Sequence, residues 1–378
     1  MTSRLHALSA AGQAVWLDFI DRTLVRSGDL AKRIRDDALT GMTSNPTIFE
    51  KALAQGTLYD EQIAASTAES PWALFEEIAS DDVRAACDVF RSVYDATNGA
   101  DGFVSLEVSP AVAHDAAGTV TEAKRLWARV DRPNVMIKVP GTTAGATAVR
   151  ELTSAGININ ITLLFAVEAH RHVIDAYIGG LEDRAATGRD VSRVASVASF
   201  FVSRVDSAID PKIDALVAAG TIDAARAKTL QGKAAIANAK LAYRLAGEKF
   251  TGPRWEKLTA RGARVQRPLW ASTSTKNPAY RDVMYVEQLI GPDTVNTLPP
   301  ATIEAFRDHG ETRRTVDTGL DDAIRQLAEL ESLGISLNAV TDKLLADGLS
   351  SFQQSFDTLL AGLSRKSQAL GRGLVAAS

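Results

Sequence analysis

Charged side chains interrupt several apolar segments of this chain, where they could act as nucleophiles or move protons. Lys138 stands within Val135–Pro140 (VMIKVP), where its neighbours are apolar or proline. Desolvation favours the neutral form of a lysine, and a neutral amine is a nucleophile that forms Schiff bases with carbonyl groups. The same lysine could instead be ion-paired inside the fold, or extend its amine outward to water. The local sequence leaves these alternatives open.

Two carboxylates occupy comparable positions. Glu107 lies near the end of Phe103–Val108 (FVSLEV), where it could shuttle protons or serve as the counter-ion of a nearby arginine. Asp18 lies in the apolar stretch VWLDFI and could also exchange protons with a substrate. Because Asp21 and Arg22 follow it closely, a structural ion pair is an equally good explanation of Asp18.

Two further segments combine hydroxyl groups with a cation, which suits a phosphate group. Ser199 ends an apolar run and is followed by Arg204, and Ser272 ends another and is followed by Lys276. Hydroxyls, backbone N–H groups and one cation together can bind a phosphate dianion. As isolated motifs, both signals are weak.

Eight short apolar runs that are rich in β-branched and aromatic residues predict β-strands. Helical segments rich in Ala, Glu, Arg and Leu separate them, so each crossover returns the chain to the same end and the strands pair in parallel. Eight such units predict a (β/α)8 barrel, with a doubly wound open sheet as the alternative. The predicted strands are Val15–Phe19, Gly41–Ser44, Phe103–Val108, Asn134–Val139, Ile157–Phe165, Val194–Phe201, Pro268–Ser272 and Thr294–Leu298.

Local signals place helices around these strands. Asn45 before Pro46 is typical of a helix N-cap, although such a turn also presents its amide to ligands. The pattern Thr119–Glu122 is typical of a capping box, and Gly156 should end a helix over 146–153. We expect extra helices in 50–102 and 202–262, and C-terminal helices in 320–370 with one apolar face formed by Phe352, Phe356, Leu359 and Leu360. No linker composition divides the chain, so residues 1–378 are predicted to form one domain.

Composition excludes several classes of protein. Hydrophobic residues make up 46% and charged residues 23% of the 378 residues, as in an average soluble globular protein. The net charge of −4 gives no electrostatic sign of nucleic-acid binding. The single cysteine, Cys87, and five histidines without an HExxH pattern predict no metal site.

Targeting and nucleotide signals are also missing. No apolar stretch reaches the length of about 18 residues that a membrane-spanning helix needs, and the N-terminus lacks a signal-peptide pattern. The chain is therefore expected to be cytoplasmic, with no membrane partner. GxGxxG, GxxxxGK[ST] and GxSxG motifs are absent, so the common nucleotide and hydrolase fingerprints are not present.

Taken in order, these segments resemble the transaldolases, specifically their longer bacterial branch. The combination of TSNPTIF, MIKVPGT and NITLLF in one chain is highly specific, whereas any one of them alone is not. The resemblance runs from about residue 16 to about residue 300, with looser similarity over 341–360. The segments that carry it are Trp16–Asp18, Gly41–Lys51, Ser105–Val108, Met136–Pro140, Gly156–Phe165 and Arg267–Pro278.

This resemblance implies a class I aldolase barrel and a transferase of the pentose phosphate pathway. Such an enzyme moves a dihydroxyacetone unit from sedoheptulose 7-phosphate or fructose 6-phosphate to an aldose phosphate. It needs no metal or organic cofactor. Sugar phosphates are then the expected partners, and a homo-oligomer stays open.

The resemblance also assigns catalytic roles. Lys138 falls on the Schiff-base lysine, and Asp18 falls on the acid/base that handles the C4 hydroxyl of the donor. Glu107 and Thr162 fall on the pair that holds the catalytic water used in carbinolamine dehydration.

Substrate-binding positions follow in the same way. Asn45 and Asn160 fall on amides that bind substrate hydroxyls and the dihydroxyacetone moiety. Ser199 and Arg204 fall on phosphate ligands, and Phe201 falls on an aromatic residue that related fructose-6-phosphate aldolases replace with tyrosine.

One departure concerns a second phosphate-binding arginine that better-known transaldolases carry after the seventh strand. Lys276 could supply its charge here, as a point cation without the bidentate geometry of arginine, and Ser272 could add a hydroxyl. Two alternatives remain: a lyase of the fructose-6-phosphate aldolase type that releases free dihydroxyacetone, and a non-catalytic barrel that binds sugar phosphates. Glu107, Phe201 and the length of the chain argue against the lyase.

Overall fold

A computed structural model describes residues 3–54 and 56–374 and shows a closed barrel of eight parallel strands. The strands follow one another around the barrel in chain order, and the first pairs with the last. The predicted (β/α)8 barrel is confirmed, the open sheet is excluded, and each predicted strand lies within about two residues of its observed bounds. The strands are β1 (Gln13–Asp18), β2 (Leu39–Thr43), β3 (Phe103–Glu107), β4 (Val135–Pro140), β5 (Ile159–Leu164), β6 (Ser196–Phe201), β7 (Gln266–Ala271) and β8 (Thr294–Leu298).

Helices connect these strands and surround them. One 3-10 helix, Pro110–Val112, follows β3. The α-helices in the described ranges are α1 (Arg4–Ala10), α2 (Arg22–Arg26), α3 (Asp29–Asp36), α4 (Pro46–Ala54), α5 (Asp60–Ala65), α6 (Pro71–Ala96), α7 (Ala116–Val130), α8 (Thr143–Ala155), α9 (Val167–Ala186), α10 (Ser203–Ala218), α11 (Ala224–Leu230), α12 (Ala234–Lys249), α13 (Gly252–Thr259), α14 (Met284–Glu287), α15 (Pro300–His309), α16 (Leu320–Ser332) and α17 (Leu337–Ala369).

The two long connections contain the extra helices expected from the sequence. Between β2 and β3 the chain forms α4, α5 and α6, and between β6 and β7 it forms α10 to α13. Buried apolar side chains from strands and helices pack into one hydrophobic cluster. The assignment of the whole chain to one domain stays a prediction.

Alternation along the strands brings polar side chains together inside the barrel, because residues two apart on a strand share a face. Asn160 on β5 donates a hydrogen bond to the Ser105 hydroxyl on β3 over 3.0 Å. The Ser199 hydroxyl on β6 donates to Oδ1 of Asn160 over 2.7 Å. The next inward residues, nearer the carboxyl ends, include Glu107 and Thr162. A polar layer therefore supports the barrel mouth from below.

Helix α17 crosses this mouth and packs against α4, α6, α10 and β5. It approaches β5 closely at Gly348, where an added Cβ would lie 2.9 Å from a methyl carbon of Leu163. A hydrogen bond of 2.8 Å between the hydroxyls of Thr47 and Ser355 joins it to α4. The predicted apolar face is confirmed: Phe352, Phe356 and Leu359 are buried, and Leu360 is half-buried.

Two predicted helix ends are confirmed. Oδ1 of Asn45 accepts a hydrogen bond of 3.0 Å from the backbone N–H of Ile48, so Asn45 caps α4. Gly156 follows the last residue of α8 with a φ of 92°, a conformation that favours glycine at this C-terminal position.

The predicted capping box at Thr119–Glu122 is wrong. Helix α7 begins at Ala116, so both residues lie inside it. The Thr119 hydroxyl donates to the carbonyl of Val112, and Glu122 accepts a hydrogen bond of 2.5 Å from the backbone N–H of Ser109. Tertiary contacts with the turn after β3 therefore use the groups that a capping box would have used locally.

Candidate active site

A cavity opens at the carboxyl ends of the strands, beneath α17. In (β/α)8 barrels this end carries the reacting groups, because side chains from several strands converge there. All the predicted site residues except Glu107 and Asn160 line the cavity. Its lining consists of Asp18, Thr43, Asn45, Lys138, Thr162, Ser199, Phe201, Arg204, Ala271, Ser272, Ser274, Lys276, Thr297, Pro299 and Phe352.

Lys138 is 4% exposed, and its amine lies between a carboxylate and the cavity. Nζ is 3.0 Å from Oε2 of Glu107 and donates a hydrogen bond of 3.0 Å to the carbonyl of Ser44. The ring of Phe352 has its centroid 5.8 Å from Nζ. A lysine that points outward to water is therefore excluded. In this conformation Lys138 is ion-paired inside the fold, and its amine still faces the cavity.

Glu107 has Lys138 as its counter-ion, whereas the sequence suggested a nearby arginine. The two residues stand opposite each other in the register of β3 and β4. Burial raises the pKa of Glu107, and the positive charge of Lys138 opposes this shift. A carboxylate held in this way can accept a proton from the adjacent ammonium group, which would release the nucleophilic amine.

Asp18 reaches the cavity from β1. The Thr43 hydroxyl donates to its Oδ1 over 2.7 Å, and the hydroxyls of Thr43 and Thr297 are 2.6 Å apart. Burial raises the pKa of Asp18, while the positive charge of Lys138 is the main effect that lowers it. Asp18 therefore suits a group that accepts and returns a proton during a reaction.

The alternative explanation of Asp18, an ion pair with Arg22, is wrong. Arg22 is buried and pairs with Asp82 on α6 at 2.7 Å. Asp21 caps α2 by accepting the backbone N–H of Leu24 over 2.6 Å. Asp21 and Arg22 therefore both bind groups on helices outside the barrel, and Asp18 remains at the cavity.

The two β5 residues lie at different depths. Thr162 lines the cavity, and its buried hydroxyl has no hydrogen-bond partner in residues 3–54 and 56–374. Asn160 is completely buried one layer lower, in the network with Ser105 and Ser199. Because buried hydroxyls normally have a partner, Thr162 is suited to hold a water or a substrate atom.

Asn45 lines the cavity from the start of α4. Its side-chain oxygen caps the helix, so its NH2 group is the part that can donate to a ligand hydroxyl. The structural role and the binding role that the sequence suggested are therefore compatible.

Positive charge lies where the ends of β6 and β7 reach the cavity, away from Glu107 and Lys138 on β3 and β4. The Arg204 guanidinium lies 5.4 Å from the ring centroid of Phe201. Lys276 donates a hydrogen bond of 2.8 Å to the hydroxyl of Ser274. Burial lowers the pKa of both cations, and for Lys276 the nearby charge of Arg204 adds to this effect. Two cations and several hydroxyl groups that line one cavity are suited to bind an anion.

Ser272 connects the two loops at this end. It has a φ of 56°, and its hydroxyl lies 3.0 Å from the hydroxyl of Ser203 at the start of α10. The backbone N–H of Ser203 also donates to the carbonyl of Ser272. Ser272 therefore lines the cavity while it fixes the start of the loop that carries Lys276.

Several lining residues were not identified from the sequence. Thr43 lies two residues before Asn45, and Ser274 lies between Ser272 and Lys276. Closer inspection of these two motifs could therefore have found them. Thr297 on β8 only gains meaning beside Thr43 on β2, which requires the closed barrel in which β1 pairs with both strands. Phe352 gives no local signal, because it lies on a helix far along the chain from every strand.

In the described part of the chain, no group of three or more His, Cys, Asp or Glu side chains is arranged to hold a metal ion. None of the helices in that same part is both long and apolar enough to cross a membrane.

The fold and site define a (β/α)8 barrel with a buried lysine and two carboxylates at its mouth. The family model described as Transaldolase/Fructose-6-phosphate aldolase matches residues 15–363. The chain therefore belongs to the transaldolase/fructose-6-phosphate aldolase family.

Named relatives match over almost their whole length. Transaldolase 2 of Nostoc sp. is 48% identical over 371 residues, which cover 96% of this chain and 97% of that protein. Transaldolase of Frankia alni is 48% identical over 98% of this chain and 99% of that protein. Transaldolase 1 of Streptomyces coelicolor is 46% identical over 97% of this chain and 96% of that protein.

Proposed function

We propose that this chain is a transaldolase that transfers a dihydroxyacetone unit from sedoheptulose 7-phosphate or fructose 6-phosphate to an aldose phosphate. The transfer proceeds through a Schiff base on Lys138, in the non-oxidative pentose phosphate pathway. The observation that carries this proposal is a buried amine that faces a cavity, 3.0 Å from Glu107, with Asp18 lining the same cavity.

The first step joins the donor to the protein. The neutral amine of Lys138 attacks the ketone carbon of the donor, and Glu107 accepts the proton that the ammonium group gives up. Glu107 then returns this proton to the hydroxyl of the resulting carbinolamine, which leaves as water, and the nitrogen lone pair forms the iminium ion. The hydroxyl of Thr162, which has no hydrogen-bond partner among the residues that the structure describes, is suited to hold this water together with Glu107. Aligned groups of this kind lower the barrier to each proton transfer.

The second step breaks the carbon chain. Asp18 removes the proton of the C4 hydroxyl as the C3–C4 bond breaks, and the electron pair of that bond moves into the iminium to form an enamine. The released aldose phosphate leaves, and the enamine adds to the aldehyde of the acceptor. Asp18 then returns its proton to the new hydroxyl, and hydrolysis of the new iminium releases the product.

The remaining cavity residues would bind the substrate. Arg204 and Lys276 would supply the charge for the phosphate group, and the hydroxyls of Ser199 and Ser272, which line the same cavity, would add hydrogen bonds. The ring of Phe201 supports the Arg204 guanidinium. This division places the phosphate at one end of the cavity and the reacting carbonyl at the other.

Two amides would complete the binding of the sugar. Asn45 can donate its NH2 group to a sugar hydroxyl, since the helix cap engages only its oxygen. Asn160 would bind the dihydroxyacetone part, although it lies below the cavity and already bonds two serines. A cytoplasmic location and a homo-oligomer also stay predictions.

Borohydride trapping tests this proposal. Reduction in the presence of fructose 6-phosphate should attach a three-carbon unit to one peptide, and mass mapping should place it on Lys138. Lys138→Ala should abolish the label. Lys240→Ala is the matched control, because Lys240 is also a buried lysine but donates to the carbonyl of Thr318 outside the cavity. A label that persists in Lys138→Ala would show that another residue forms the Schiff base.

A second measurement separates transfer from lyase activity, since the family includes fructose-6-phosphate aldolases. With fructose 6-phosphate as donor, we expect product formation to depend on added erythrose 4-phosphate. Release of free dihydroxyacetone at the same rate without an acceptor would instead identify a lyase.

A further inference from the structure

Two buried carboxylates on α10 have no part in the chemistry above. Asp206 is 1% exposed and Asp210 is 9% exposed, and they lie four residues apart, on one face of the helix. The helix begins beside Arg204, the cation at the phosphate end of the cavity. Burial raises the pKa of Asp206 to about 7 and also raises the pKa of Asp210. Burying two acidic groups is costly unless their hydrogen bonds compensate.

Both carboxylates bind tyrosines that come from the connection after β7. The Tyr280 hydroxyl donates to Oδ2 of Asp210 over 2.5 Å, and the Tyr285 hydroxyl donates to Oδ2 of Asp206 over 2.9 Å. Tyr280 follows Lys276 by four residues in the loop over 272–283, and Tyr285 lies in α14 directly after that loop. The loop is thus fastened to α10 just beyond its functional cation.

The second oxygen of each carboxylate binds the backbone before or at the start of α12. The N–H of Ala235 donates to Oδ1 of Asp206 over 2.8 Å, and the N–H of Gly232 donates to Oδ1 of Asp210 over 3.1 Å. A Cβ on Gly232 would lie 2.8 Å from the Tyr280 ring, so the ring packs directly on this backbone. Each carboxylate therefore joins three segments of the chain.

The phosphate end needs such support. Arg204 and Lys276 carry like charges that repel each other. Lys276 lies in the loop between β7 and α14, which contains neither helix nor strand. Without a substrate phosphate between them, the two cations would separate unless the loop were held. The tyrosine hydroxyls and the α10 carboxylates provide the contacts that oppose this separation.

We propose that Tyr280 and Tyr285, through Asp210 and Asp206, are positioning residues that hold Lys276 beside Arg204 for phosphate binding. This inference rests on the proposed function, because it requires that the cationic end of the cavity binds the phosphate of the substrate. The tyrosines themselves do not contact the substrate. Their removal should therefore act on phosphate affinity through Lys276 alone.

Competitive inhibition by inorganic phosphate measures this effect without a change of donor. We expect Tyr280→Phe to raise the inhibition constant for phosphate by about five- to tenfold, because Tyr280 acts on Lys276 through the loop that carries both. KM for fructose 6-phosphate should rise with it, while kcat changes much less. Tyr243→Phe is the matched control, because its hydroxyl donates to the carbonyl of Pro292 and not to α10. An unchanged inhibition constant in Tyr280→Phe would overturn the inference.

A double-mutant cycle distinguishes positioning from general loss of structure. Lys276→Met should itself weaken phosphate binding, and Tyr280→Phe should add little in the Lys276→Met background. Fully additive effects would contradict the proposal. Asp210→Asn gives a second route to the same contact if Tyr280→Phe folds poorly, and it should show the same lack of additivity.

Trapping with dihydroxyacetone, which has no phosphate group, separates the possible failures. A parent protein that gives no borohydride label with it contradicts the Schiff-base proposal. If dihydroxyacetone labels the parent protein but phosphate does not inhibit its turnover of fructose 6-phosphate, the phosphate end is assigned wrongly. The positioning inference then falls with that assignment. If the parent is labelled and inhibited, and Tyr280→Phe behaves like the parent, only the positioning inference fails.

Discussion

The two ends of the cavity are built differently. At the amine end, Asp18, Glu107 and Lys138 project from β1, β3 and β4, and neighbouring strands hold them in register. At the phosphate end, Arg204 lies in the first turn of α10 and Lys276 lies in a loop. Side chains on strands are held by the ladder of the sheet, whereas loop residues need separate contacts. The groups proposed for bond making and breaking therefore occupy the more rigid end.

This contrast separates two kinds of effect that substitutions should have. Changes at the amine end remove reacting groups and should lower kcat. Changes at the phosphate end remove binding contacts and should raise KM for phosphorylated substrates. Each prediction below tests whether the two ends behave in this way.

The largest effect is expected for Asp18→Ala. Loss of a well-placed proton acceptor should lower kcat about 10²–10⁴-fold, because the C4 proton then has no base. Steady-state kinetics with fructose 6-phosphate and erythrose 4-phosphate would measure this. Dihydroxyacetone should still be trapped on Lys138, since no carbon–carbon bond breaks in that reaction. Loss of trapping as well would indicate damage to the site beyond the missing base.

A smaller effect, on KM, is expected for Arg204→Met. Hydrogen bonds to charged groups contribute about 1.5–3 kcal/mol, so KM for fructose 6-phosphate should rise about 10–100-fold. Arg244→Met is a suitable control, because Arg244 is exposed and pairs with Glu248 on α12. A fall in kcat with unchanged KM would break the division between the two ends.

A modest change is expected for Phe352→Leu at the amine end. The ring faces the Lys138 nitrogen at 5.8 Å, and a cation–π contact of about 0.5–1 kcal/mol would stabilise the positively charged iminium that forms there. We therefore expect kcat to fall about two- to fivefold. Phe356→Leu, one turn further along α17, should leave kcat unchanged because Phe356 packs on Trp72 and Phe75.

The smallest effect connects the two ends through charge. Burial raises the pKa of Asp18, and the positive charge of Lys276 lowers it in part. Asp18 must be ionised to accept a proton, so activity falls as the pH drops through its pKa. Lys276→Met should move the acidic limb of the pH profile of kcat to higher pH. A shift to lower pH would contradict the assigned influence of Lys276 on Asp18.

Much of the barrel could be predicted from short stretches of sequence. Apolar runs located all eight strands, and the Asn45–Pro46 pair located the start of α4. These signals are local, because strand burial and helix capping depend on residues close together in the chain. The Thr119–Glu122 pattern failed because backbone groups of the preceding turn, 7 and 13 residues earlier, bind its side chains.

The site was predicted less completely. The apolar neighbours of Lys138 singled it out but left open whether its amine is buried or extends outward, and its ion pair with Glu107 depends on the register between β3 and β4. The proposed ion pair of Asp18 with Arg22 was wrong because α6 supplies Asp82 to that arginine. Phe352 was expected only as part of an apolar helix face, since nothing near it in sequence connects it with Lys138.

By itself, the sequence determined which segments are strands and which side chains share a face of each strand, because both follow from spacing over a few residues. Only the tertiary structure decided which of these side chains meet. It placed α17 over the mouth of the barrel and joined Tyr280 and Tyr285 to the carboxylates of α10. Such partners are separated by long stretches of chain, and only packing of the whole barrel brings them within hydrogen-bonding distance.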